Sequence, residues 1–191
     1  MKIGFFGGSF NPPTKAHIEL AQKVIEKYVL DKVIFVPMGD FYVKEGLASS
    51  KDRLNMLKLA CKPYEKLEVS DLEIRLNKKM DTIDAFREIE KHFQGIDRFF
   101  IMGADNFIKI LEWKESLELV SKYKYIVFER DDINVNRFIE ENLKEYKANF
   151  QIMENKEYKN SSSSKFRHDK NSFKEEVSKE VFKYIMKNNI Y

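Results

Sequence analysis

The chain predicts an α/β, Rossmann-like fold, an open parallel sheet with helices on both faces. Five short apolar runs, at 2–6, 32–36, 66–69, 98–102 and 124–128, read as strands; near-continuous apolarity marks strands buried on both sides. Between them lie stretches with helical spacing, at about 15–29, 50–61, 82–93 and 105–120, and this alternation builds parallel sheets. Ligands of such sheets bind beyond the carboxyl ends of the strands, near the point where strand order reverses. The loops 7–17, 37–44 and 103–105 each follow a strand directly, so three loops should converge on one edge.

The first unit is "GFFGGSFNPPTKAHIELAQKV", residues 4–24. A strand, a glycine turn and a helix in that order favour an anion, because free N–H groups and the dipole at a helix start attract negative charge. Gly4, Gly7 and Gly8 do not form GxGxxG, and no Gly-Lys-Ser/Thr follows; neither a dinucleotide loop nor a P-loop is written here. Beyond residue 130 the pattern weakens to a helix near 134–146, a short strand near 149–153, the polar stretch "ENKEYKNSSSSKFRHDK" and a closing helix, "SKEVFKYIMKNNIY". No internal repeat is visible, and 191 residues suit one domain, 1–191, whose C-terminal part from about 155 carries the serine run and closing helix.

Composition narrows the function. Thirty-four Lys and Arg against 31 Asp and Glu give a net charge of +3, too balanced for a nucleic-acid binder by bulk charge but compatible with small anionic substrates. Cys61 is the single cysteine; it cannot form an internal disulfide, and no Cys/His cluster suggests a bound metal. No apolar run reaches the roughly 18 residues of a membrane span, and the start is too glycine-rich for a signal peptide. A cytoplasmic protein without a membrane partner is expected.

Three constellations could carry chemistry. Thr14 and His17 stand three apart in the first helical turn, so their side chains point the same way, and a hydroxyl and an imidazole beside free N–H groups would cradle a triphosphate. Equally, Thr14 could be only an N-cap and His17 a packing residue. Ser161–Ser164 could be a linker, yet only about 27 residues follow it. As Ser162-Ser163-Ser164-x-x-Arg167 it offers hydroxyls at a helix start and a guanidinium one turn later, a fork that suits phosphate oxygens. Trp113, the only tryptophan, is either a core anchor or, given its place soon after the 103–105 loop, an exposed aromatic face.

"GGSFNPPTKAH", "MGADNF…EWK" and "SSSSKFR", in this order and spacing, resemble the nicotinate/nicotinamide mononucleotide adenylyltransferase family within the (H/T)xxH nucleotidylyltransferases. The resemblance runs almost end to end, through "VPMGDFYVKEGLASSKDRLNMLKLA" to "VFKYIMKNNIY". It implies transfer of the adenylyl group of ATP to a pyridine mononucleotide, with magnesium entering on ATP. It assigns Gly7, Gly8, Ser9 and Phe10, with Thr14 and His17, to the ATP phosphates. Ser162, Ser163, Ser164 and Arg167 would hold the departing pyrophosphate, and Lys44 would face the phosphates. Gly103 and Asp105 fall to the adenosine ribose, Trp113 to a stack on the pyridine ring, and Thr82 to the segment meeting the ring's carboxylate or amide.

The residue types suit that chemistry. The acceptor's phosphate is already an ionised nucleophile, so positioning and charge neutralisation are the task, and a positively charged pyridinium pairs well with an indole face. Ala16 stands where the family has glycine, and Ser161 and Phe166 where it has isoleucines. "GDFYVKEGL" and Thr14 resemble nicotinamide-accepting members, whereas the compact length resembles bacterial nicotinate enzymes. With Lys78 and Lys79 just ahead of Thr82, nicotinate mononucleotide is the expected acceptor and nicotinamide mononucleotide the alternative. A sister transferase with another phosphorylated acceptor fits "DTIDAFREI" and Trp113 less well. A silent nucleotide-binding regulator fits the set of His17, Lys44, Asp105 and Arg167 less well. A homo-oligomer is compatible with the sequence.

Overall fold

The computed structural model describes residues 1–41, 46–76, 78–129, 133–154, 163–169 and 174–191. The expectations on Lys44 and Ser162 lie outside these residues, as does the side chain of Ser164. Six strands make one parallel sheet: β1 (Lys2–Gly8), β2 (Lys32–Pro37), β3 (Leu67–Val69), β4 (Asp97–Gly103), β5 (Lys124–Phe128) and β6 (Phe150–Met153), in the order β3-β2-β1-β4-β5-β6. Strand order reverses between β1 and β4, which are paired from Lys2 with Asp97 to Phe6 with Ile101. That junction is the predicted place for a ligand.

Side-chain alternation divides the core into two layers. On one side Phe6, Val33, Phe35, Ile101, Ile126 and Phe128 pack under α1 (Lys15–Tyr28), α2 (Ser50–Cys61) and the closing helix Lys179–Lys187. On the other side Phe5, Ile34, Phe100, Tyr125 and Val127 meet the helices that follow β3, β4 and β5. Burial on both faces explains the unbroken apolar runs, and burying each large side chain contributes about 1.5–3 kcal/mol.

The second face differs from the expected pattern in two places. A five-residue helix, α3 (Leu72–Leu76), precedes α4 (Thr82–His92) and is too short to show a period. The single helix expected at 105–120 is three pieces: α5 (Ala104–Phe107), a 3₁₀ turn at Ile110–Glu112 and α6 (Ser116–Lys122). Between the last two, Trp113 is extended and Glu115 takes a left-handed backbone at φ 52°. Leu111 and Leu117, which completed the apparent period, are exposed. The remaining helices are α7 (Val135–Asn142), α8 (Ser163–His168) and α9 (Lys179–Lys187); the stretch expected as one helix over 134–146 turns into a 3₁₀ segment at Lys144–Asn149.

Candidate active site

The loops after β1, β2 and β4 do converge. A cavity of about 450 Å³ opens at this edge, lined by Gly7 and Gly8 at the end of β1, Ser9 just beyond it, Met38 after β2 and Asn106 after β4, with Thr82 and Trp113 from the second face. The backbone shapes its mouth. Gly8 carries no side chain because a Cβ there would lie 3.0 Å from the Phe10 ring. The Phe10 ring is buried against Phe6, Phe35 and His17, so its side chain belongs to the core and only its backbone can face a ligand.

Thr14 is the N-cap of α1, and the Thr14 N–H donates to Nδ1 of His17 at 3.0 Å. The Thr14 hydroxyl lies 2.7 Å from the same nitrogen. The two residues are therefore neighbours, as their spacing requires, but Thr14 is only 2% exposed. It holds the imidazole from behind instead of presenting its hydroxyl beside it.

Asn11, buried within the same loop, ties together chain segments far apart in sequence. Its amide donates to the Gly46 carbonyl at 2.8 Å, and its Oδ1 accepts the Ala48 N–H at 3.0 Å and the Tyr191 hydroxyl at 2.5 Å. Its main-chain carbonyl accepts from Arg167 at 2.7 Å. The serine run does start a helix, since α8 begins at Ser163, whose hydroxyl donates to the Pro12 carbonyl at 2.8 Å. Ser163 and Arg167 thus lie against the loop that carries Gly8 and Ser9, and a linker does not account for them.

Arg53 is a fully buried guanidinium, and the sequence reading missed it. It donates to the carbonyls of Ser9 at 3.0 Å, Ala48 at 2.9 Å and Gly39 at 3.4 Å, and meets Asp40 at 3.2 Å. Burial lowers its pKa, while the hydrogen bond and charge of Asp40 act in the opposite sense. One side chain thereby fixes the loops after β1 and β2 relative to each other. Asp40 in turn accepts from the N–H and hydroxyl of Ser50 at 2.6 and 2.7 Å, anchoring the start of α2.

On the other wall, Gly103 caps α5, and the carboxylate of Asp105 lies so close over it that a Cβ at 103 would sit 2.5 Å from Oδ1. Thr82 opens α4, and Trp113, half-buried, lines the same cavity. Ion pairs bind these two segments: Lys114 meets Asp84 at 3.1 Å, and Arg87 meets Glu115 and Glu118 at 2.5 Å each. Lys78 and Lys79, which suggested a cation for the acceptor, are exposed and do not line the cavity.

Glu73 of α3 does line it. Its carboxyl is pushed up to about 7 by burial, against the opposing pull of the Gly39 N–H and the Arg53 charge. Sequence alone could not mark this residue, because a lone Glu in a polar stretch reads as a solvated surface residue. Among the described residues no trio of His, Cys, Asp and Glu could cage a metal, and no helix is long and apolar enough to cross a membrane.

Known proteins resemble the chain in sequence and in fold. The cytidylyltransferase-like family model matches residues 5–169. A protein of Aquifex aeolicus named "Probable nicotinate-nucleotide adenylyltransferase" is 38% identical over 150 residues, covering 77% of this chain and 89% of its own. One of the same name from Carboxydothermus hydrogenoformans is 34% identical over 197 residues, 100% of this chain and 98% of its own. In three dimensions the fold matches that of the Plasmodium falciparum nicotinic acid mononucleotide adenylyltransferase complexed with NaAD, with a TM-score of 0.83 at 21% identity over 100% of this chain and 97% of the other. The chain is a nucleotidyltransferase of the cytidylyltransferase-like family and belongs, within it, with the nicotinate-nucleotide adenylyltransferases.

Proposed function

We propose that this enzyme transfers the adenylyl group of ATP to nicotinate mononucleotide, forming nicotinate adenine dinucleotide and pyrophosphate, with residues 1–191 acting as one unit in the cytoplasm. The observation that carries the reading is the meeting of His17, Ser163 and Arg167 around one glycine loop, beside a cavity lined by Thr82 and Trp113. A phosphate oxygen of the acceptor attacks the α-phosphorus of ATP, and the bond to the β-phosphate's bridging oxygen breaks. The acceptor brings its own charge, so no base is needed.

What remains is to place the two phosphates in line and to neutralise the charge that moves onto pyrophosphate. The N–H groups of Gly8 and Ser9 and the His17 imidazole suit the transferring group, and Arg167, with Ser163 beside it, suits the leaving group. Asp105 suits a ribose hydroxyl, and the face of Trp113 suits the cationic pyridine ring. Ser162, Ser164 and Lys44 keep the roles that the family resemblance assigns them. Magnesium fits a donor set of amides, hydroxyls and single carboxylates only as a cation carried by the phosphates and its own waters; there it would offset phosphate charge.

The names of the relatives favour nicotinate as the acceptor. A second reading, nicotinamide mononucleotide as acceptor, draws on one feature: the described residues lining the cavity include no Lys or Arg and one carboxyl, Glu73. Measuring kcat/KM for both mononucleotides with ATP and magnesium at pH 6.5 tests the choice. The proposal expects nicotinate to be preferred by tenfold or more, roughly what one well-matched polar group provides. A preference of that size for nicotinamide would reverse the acceptor and leave adenylyl transfer standing.

A further inference from the structure

Glu73 is a carboxyl in a substrate cavity to which the mechanism above gives no work. Its neighbours in the lining are neutral: Gly7, Gly8, Ser9, Thr82, Asn106 and Trp113, with aliphatic and phenylalanine side chains behind them. Among the described lining residues it is the one ionisable group. A nicotinate ring carries a carboxylate into this cavity and a nicotinamide ring carries a neutral carboxamide; the two acceptors are otherwise alike. We propose that Glu73 sets the acceptor preference by its protonation state, the neutral carboxyl admitting the nicotinate carboxylate and the ionised form disfavouring it relative to the carboxamide. This rests on the adenylyl-transfer reading.

Charges interact strongly in a cavity whose lining is largely apolar. A buried carboxylate without donors is costly, and a second carboxylate nearby adds to the cost. A protonated carboxyl, by contrast, can donate a hydrogen bond to an incoming carboxylate, and an ionised one can accept from an amide NH₂.

The groups around Glu73 decide which form prevails. Arg53 faces it from α2 and favours the ionised form, but that guanidinium is already engaged by Asp40 and by three carbonyls. The loop after β2 offers the Gly39 N–H, which acts in the same sense. Asp71, just before α3, and Arg75 of α3 pair with each other at 2.9 Å on the surface. From α4 the cavity receives Thr82, Ala85, Phe86 and Ile89, and from β1 Phe5, Gly7 and Gly8, none of them ionisable. Burial opposes Arg53 and Gly39 and outweighs them, so the proton is held up to about 7, within the range where cells operate.

The test is the ratio of kcat/KM for nicotinate mononucleotide to that for nicotinamide mononucleotide, measured from pH 6 to 8.5 with ATP and magnesium. Both acceptors share the phosphate and the pyridinium, so their titrations cancel in the ratio. In the wild type the ratio should fall by about tenfold as Glu73 ionises. In Glu73→Gln it should stay flat. Calorimetry of nicotinate mononucleotide binding at pH 7.5, in two buffers of different ionisation enthalpy, should show proton uptake by the wild type exceeding that of the variant; the wild-type profile stands as a test even if the variant does not fold. A pH-independent ratio in the wild type, or an unchanged slope in the variant, overturns the proposal and leaves adenylyl transfer intact. Failure to form dinucleotide from either acceptor at any pH overturns both.

Discussion

The N–H of Thr14 is donated to Nδ1 of His17 at 3.0 Å. A nitrogen that accepts a backbone N–H carries no hydrogen, so the imidazole keeps its hydrogen on Nε2 and is a donor on its other side. The helix cap thereby sets the tautomer of His17 at the start of α1.

If Nε2–H stabilises the transferring phosphoryl group, His17→Ala should lower kcat by about 10²–10³, the usual loss on removing one transition-state donor. KM for ATP should change less than kcat. Steady-state kinetics check this, and a kcat within threefold of wild type would remove His17 from the chemistry.

Arg167 touches the loop through the Asn11 carbonyl, and a planar fork can hold that carbonyl and a phosphate together. Arg167→Ala should therefore raise KM for ATP and lower turnover with little change in melting temperature. Arg167→Lys should recover only part of the loss, because an ammonium cannot reproduce the fork. Equal kinetics for all three proteins would return this residue to a structural role.

Trp113 is the only tryptophan, which makes it a built-in reporter. Binding of either mononucleotide in the absence of ATP should quench its fluorescence, and Trp113→Ala should raise acceptor KM by about two- to thirtyfold, the equivalent of about 0.5–2 kcal/mol of cation–π contact. A mononucleotide that binds without altering the emission would place the pyridine ring elsewhere.

Removing Arg53 leaves three carbonyls without their donor. Arg53→Ala should cost about 2–4 kcal/mol of stability and, in a chain of this size, lower Tm by roughly 5–15 °C. Thermal unfolding measures it; a loss below about 1 kcal/mol would mean that water replaces the guanidinium without strain.

Glu73 also links stability to pH. Its folded-state pKa is raised from 4.5 to about 7, so the native state holds a proton that the unfolded chain releases, and stability from this group is full below 4.5 and lost as pH rises through about 7. Glu73→Gln should match wild type in Tm near pH 4.5 and exceed it near pH 8. The reverse order at pH 8 would show that Arg53 holds Glu73 ionised.

The strands were legible because burial on both faces leaves little room for polar residues, as in "KVIFV" at 32–36. The loops were legible for a different reason: Gly8, Ser163 and Arg167 stand in the motifs that carry the family resemblance, with residue types that suit a phosphate. Arg53, Asn11 and Tyr191 were not legible. Each has a partner far away in sequence, Gly46 35 residues from Asn11, Ser9 44 from Arg53 and Tyr191 180 from Asn11, and a buried guanidinium on α2 has the same sequence appearance as a solvated one. The broken helix around Trp113 was hidden too, because Leu111 and Leu117 imitate a buried stripe that the fold leaves in solvent.

The central claim, that the adenylyl group moves intact from ATP to a mononucleotide, is tested most directly with ATP labelled at one phosphorus at a time. Incubation with nicotinate mononucleotide and magnesium should carry an α-phosphorus label into the dinucleotide and a γ-phosphorus label into pyrophosphate, in equal amounts. Appearance of the γ label as free orthophosphate or on the mononucleotide, with no α label in a dinucleotide, would contradict the account.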